Sequence, residues 1–203
     1  MTSIMGNMTK HFEIVYEMIR GILIPQKEKK LTFNEIGLTI TIPKGLRVLS
    51  DEQIKKRAKK KPDAAENSFM IIAENHADCI PLFYAKNAEN SFMSGTMFRL
   101  NGKAEYDALQ DYNEYIESYW KSIDKENNTY ARVYIEKKSS KITIGGVAFD
   151  KDEISWRIPE RKISCFYSYH SLHKGFQIAI TAAFVNQEFG VSILKSIENA
   201  RFD

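Results

Sequence analysis

The sequence predicts an α+β protein, a central antiparallel β-sheet sandwiched by helices. Three observations lead there. Phe176, Ile178, Ile180, Ala182 and Phe184 alternate with Gln177, Ala179, Thr181 and Ala183, the period of two of a strand with one strongly buried face. Candidate strands at 69–73, 80–86 and 92–100 follow one another across Asn-, Asp- and Ser-containing turns, as in an antiparallel meander rather than in βαβ units. Helical patterns fall between the strand groups, so helices cover the sheet.

Residues 1–30 read as a helical extension and 31–203 as one domain. In the extension, Phe12, Val15, Ile19 and Ile22 give 11–23 an amphipathic stripe that packs on the parent domain or docks elsewhere. Leu38, Ile40 and Ile42 alternate with Thr39 and Thr41 in a first strand, ended by Pro43, Lys44 and Gly45. Ser50 and Gln53 then form a capping box for a helix that runs into Lys55–Lys61 and stops before Pro62. After the meander, 105–123 is the longest helix, with Leu109, Ile116, Trp120 and Ile123 on one stripe and Tyr112, Tyr115 and Tyr119 on another.

A strand at 130–137 follows and turns at Ser139 and Ser140 into a strand carrying Gly145 and Gly146. Paired glycines inside a strand suggest a bulge or a close backbone approach. After a loop around Trp156 and Pro159, Ile163, Cys165, Tyr167 and Tyr169 share one face of a strand, opposite Ser164, Phe166, Ser168 and His170. The loop 171–175 joins it to the strand of Phe176. A last helix starts near Asn186 with Phe189, Ile193, Leu194 and Ile197 facing inward.

At 203 residues, 43% hydrophobic and 27% charged, the chain is an ordinary globular protein with room for one core. Lys55, Lys56, Arg57, Lys59, Lys60 and Lys61 contribute +6 to a net charge of only +3, so the basicity is local. That argues against nucleic acid as a partner. The most apolar stretch near the N-terminus, 19–25, is too short for a signal peptide and is broken by Arg20 and Gly21, and no stretch reaches the length of a membrane span. A cytoplasmic location is expected. Cys79 and Cys165 read as buried thiols, with one disulfide as the alternative.

The search for chemistry yields little. His170 and His173 have an HxxH spacing, but in a hairpin loop and without a nearby carboxylate motif, so no metal site and no cofactor are expected. Cys165 lies five residues before His170, an odd separation that puts the two on opposite faces of one strand. No GxSxG, HExxH or phosphate-loop motif occurs, and no catalytic residue is assigned.

Taken together, GLTITIPKG at 37–45, TIGG at 143–146 with Phe149, Tyr167 with the Lys174-Gly175 hairpin, and ILKSI at 193–197 resemble the PsbP-like fold family. That family includes the photosystem protein of the same name, a Ran-binding import factor, DcrB-type bacterial proteins and type VI effector-associated chaperones. The resemblance covers 31–203 and implies a central antiparallel sheet between helices, partner binding and no shared catalytic residues. The basic helix and the N-terminal extension depart from the pattern.

The expectation is therefore a non-catalytic accessory domain that binds another protein through the sheet face or the adjacent groove, with a homodimer left open. The candidate partner-binding residues are Lys55, Lys56, Arg57, Lys59, Lys60, Lys61, Tyr112, Tyr115 and Tyr119. Two alternatives stand beside it: a hydrolase or small-ligand enzyme using the 170–174 loop, and an anionic-surface binder using 55–61.

Overall fold

A computed structural model describes residues 27–50, 52–54, 79–87, 89, 91–100, 134–158 and 161–203. The sequence-predicted helices at 11–23 and 105–123 and the strand at 69–73 lie outside the described residues, as does the side chain of Cys79.

The described strands run β1 (Lys29–Phe33), β2 (Leu38–Ile42), β3 (Arg47–Val48), β4 (Cys79–Lys86), β5 (Phe92–Arg99), β6 (Tyr134–Ile144), β7 (Val147–Ile158), β8 (Arg161–His173), β9 (Phe176–Phe184) and β10 (Arg201–Phe202), with helix α1 (Gln187–Glu198) before the last. Seven of them form an antiparallel sheet in the order β3-β4-β5-β9-β8-β7-β6, and three form a small sheet in the order β1-β2-β10. The two sheets and α1 enclose the larger core.

That core follows from the alternation on β9. Phe176, Ile178, Ile180, Ala182 and Phe184 are all buried on the face that meets β2 and α1. Leu38, Ile40 and Ile42 of β2 answer them, and Ile193 and Ile197 close the space from the helix. Each fully buried side chain of this size contributes about 1.5–3 kcal/mol. Helix α1 starts where Asn186 Oδ1 accepts from the Phe189 N–H at 3.1 Å, the N-cap expected of that residue.

Ser50 and Gln53 make the sequence-predicted capping box: the Ser50 N–H donates to Gln53 Oε1 at 3.0 Å, and the Gln53 N–H donates to Ser50 Oγ at 3.3 Å. The helical turn at 52–54 follows it.

Several expectations are corrected. On the core face a three-stranded sheet shares the cover with α1, where helices alone were expected, because β1 and β10 are short strands that the alternation does not reveal. Gly145 and Gly146 are not a bulge inside a strand. They form the two-residue turn of the β6–β7 hairpin, with φ of 55° and 87°. The close backbone approach is present too, since a Cβ on Gly145 would lie 2.7 Å from the Phe202 nitrogen.

Ser139 and Ser140 are interior residues of β6, paired with Asp152 and Lys151, and Trp156 lies within β7, opposite Ile135. The predicted loop 171–175 shrinks to Lys174 and Gly175, both at positive φ, because β8 continues to His173.

Candidate functional site

Strand β8 carries polar side chains on both of its faces, and the two sets do different work. On the face away from the main core, cross-strand register brings hydroxyls into a row: Ser94 of β5 opposite Thr181 of β9, and Thr181 opposite Ser168 of β8. Ser94 Oγ and Thr181 Oγ1 are 2.5 Å apart, as are Ser168 Oγ and His170 Nε2. Ser168 and His170 point the same way because they are two residues apart on one strand. They are 1% and 3% exposed. Burial lowers the His170 pKa to about 3, so its imidazole is neutral at ordinary pH.

A hydroxyl beside a neutral imidazole is the core of a serine nucleophile, and the sheet offers aspartates in the right rows. Asp150 is the register partner of His170, and Asp152 that of Ser168. Neither completes a triad. The Asp150 side chain is 54% exposed and sits 3.6 Å from Lys141 Nζ, while Asp152 Oδ1 accepts from Ser139 Oγ at 2.6 Å. A triad needs the carboxylate on the imidazole and substrate access to the hydroxyl. Here the carboxylates turn to the β6 side and the hydroxyl is sealed.

His173 does not join this pair. Three residues from His170, it lies on the opposite face, its ring edge-on to Phe202 at 5.3 Å. Desolvation first, then the Lys174 charge, lowers its pKa. The HxxH spacing therefore makes no joint site, and the loop expected to carry it is mostly strand. Among the described residues no cluster of His, Cys, Asp and Glu could hold a metal ion.

On the core face, Lys151 of β7 reaches over two tyrosines, its Nζ 5.5 Å from the Tyr167 ring centroid and 5.3 Å from that of Tyr169. It also pairs with Glu198 of α1 at 2.9 Å. Burial, and then the Glu153 charge, raises the Tyr167 pKa; burial, and then the Glu198 charge, raises that of Tyr169. Both phenols stay protonated, so neither tyrosine serves as a general base, and the cluster docks the helix end on the sheet.

The residues expected to bind a partner, Lys55, Lys56, Arg57, Lys59, Lys60, Lys61, Tyr112, Tyr115 and Tyr119, lie outside the described residues. The sequence reading missed both the Ser168–His170 pair and the Lys151 cluster. The first carried a signal, an i, i+2 spacing in a strand. The second depends on cross-strand register and on a helix far along the chain, and carried none.

No family model matches the chain, and no curated protein matches it by sequence. Its fold is PsbP-like. The solution structure of cyanobacterial PsbP (CyanoP) from Synechocystis sp. PCC 6803 superposes with a TM-score of 0.50 over 89% of this chain and 94% of that one, at 7% identity. LpqN of Mycobacterium tuberculosis, described as involved in cell envelope biogenesis, aligns at a TM-score of 0.38 and 10% identity over 62% of this chain and 79% of its own. Among the described residues no helix is long and apolar enough to cross a membrane.

Proposed function

We propose that this protein is a non-catalytic accessory domain that binds another protein. The observation that supports the reading is the fate of its best catalytic pair: Ser168 and His170 are buried, and the aspartates in register with them are engaged by Lys141 and Ser139. The PsbP-like fold agrees with such a role. The candidate surfaces are the sheet with its edges, the segment that carries Tyr112, Tyr115 and Tyr119, and the basic run Lys55–Lys61.

The test is capture of interactors from native extract on the immobilised full chain, beside a version with Lys55–Lys61 reversed in charge. One protein retained by both versions places the contact off the basic run; retention lost only in the reversed version places it on that run. Turnover of an ester by the pure protein, abolished by Ser168→Ala, would overturn the non-catalytic reading.

A further inference from the structure

Two facts about the seven-stranded sheet stand apart from the sites above. Among the described residues, one of its ends is β3, only two residues long, and the other is β6, a strand of 11 residues. The β6–β7 register runs without a shift from Tyr134↔Arg157 to Ile144↔Val147, so no bulge interrupts the edge.

Which backbone groups this edge presents follows from its turn. Gly145 and Gly146, both at positive φ, make a two-residue loop of the kind that closes on a hydrogen-bonded pair, here Ile144 with Val147. In an antiparallel ladder such pairs alternate with non-bonded ones. Even-numbered residues of β6 therefore bond to β7, and the N–H and C=O groups of Ser139, Lys141 and Thr143 point outward. All three residues share one exposed face, while on the other face Ser140 is exposed and Ile142 and Ile144 turn to the core.

Charge says what suits this edge. Lys137, Lys138 and Lys141 are exposed along it, Lys141 with its Nζ 3.6 Å from Asp150 of β7. The acidic residue among them, Glu136, is held by Arg157, whose Nη1 is 3.0 Å from each carboxylate oxygen. Edge lysines discourage a second copy, since two-fold registers centred on Lys138 or Ser139 set lysine opposite lysine. An acidic strand reverses that sign at each pair.

We propose that the outer edge of β6 accepts an extended, acidic segment of a partner protein as an added strand. Outward amides and carbonyls bond the incoming backbone, and the lysines select its charge. This rests on the protein-binding reading and gives it a place and a chemistry.

The test follows amide hydrogen exchange in the full chain with a capped peptide of alternating glutamate and valine, beside its lysine–valine counterpart. The acidic peptide slows exchange at Ser139, Lys141 and Thr143 by about ten-fold or more, as expected for amides newly bonded in a ladder, and the lysine peptide does not. Ser139→Pro removes an outward N–H and leaves the β7 ladder in place, so it abolishes the protection while the far-UV circular dichroism stays unchanged. No protection by the acidic peptide, equal protection by both peptides, or protection that survives in a folded Ser139→Pro variant would each overturn the proposal. A cellular partner captured equally by wild type and Ser139→Pro also overturns it, while leaving the protein-binding function standing.

Discussion

Gly190 of α1 lies directly against the ring of Phe184 on β9: a Cβ built on it would overlap Cε2 and Cδ2 of that ring. The close approach seats the first turn of the helix on the end of the strand that begins the core. Both residues are buried.

Gly190→Ala sets two effects against each other. In a helix interior the change usually stabilises by about 0.5–1 kcal/mol. Overpacking a filled site costs roughly 1–3 kcal/mol, and Phe184 sits within the core with no open side to move into. The clash wins. Gly190→Ala lowers the urea midpoint, whereas the half-exposed Val191→Ala on the same helix leaves it unchanged or slightly raised.

Gly145 and Gly146 share a turn but not an environment. A Cβ on Gly145 meets the backbone of Ala200, Arg201 and Phe202 at 2.7–3.0 Å, while one on Gly146 meets nothing within 4 Å. Gly146→Ala therefore bears the positive-φ cost alone, about 1–2 kcal/mol. Gly145→Ala adds the overlap and also pushes on β10, so its loss of stability is larger by roughly 1–3 kcal/mol. Thermal or urea unfolding of the two variants side by side reads the difference.

These two glycines show where the sequence was informative. Their presence announced a special backbone, but a bulge and a hairpin turn differ only in what pairs on either side, which is a property of register. Ser139 and Ser140 misled for a related reason. Where an edge strand is exposed on both faces, as at 137–140, the hydrophobic alternation vanishes and two serines look like a turn. Strand β9 and helix α1 were legible because each buries one face completely, and because Asn186 caps the helix as its type predicts. In β1 only Leu31 and Phe33 turn inward, too few for a pattern. The site divided the same way: the spacing of His170 and His173 was visible, but their separation onto two faces required knowing that β8 continues past Ser171.

Lys151 joins α1 to the sheet, and its loss has a bounded cost. The Glu198 pair is partly exposed, which limits it to about 1 kcal/mol or less. Contact with two tyrosine rings adds roughly 0.5–2 kcal/mol. Lys151→Ala removes both, and Glu198→Gln weakens only the first, so the alanine variant unfolds at the lower denaturant concentration. If the two variants match, the rings contribute nothing and the ion pair alone holds the helix end.

The buried imidazole sets the acid limit of the fold. In the native state burial lowers the His170 pKa to about 3, against 6.5 for an unperturbed side chain, so the unfolded chain takes up the proton first as the pH falls. His170 therefore leaves stability at its full value above about pH 6.5 and removes it progressively down to about pH 3, at up to ~1.4 kcal/mol per pH unit. Carboxylates protonate over the lower part of this window as well, so the informative quantity is the difference between proteins. In urea unfolding at pH 7, 5.5 and 4, wild type loses stability more steeply than His170→Gln, which cannot take up that proton. His173→Gln keeps most of the slope, because that ring is only partly buried. Parallel pH profiles for wild type and His170→Gln would mean that the native imidazole takes up its proton over the same pH range as in the unfolded chain, and with it that burial does not keep the Ser168–His170 contact neutral.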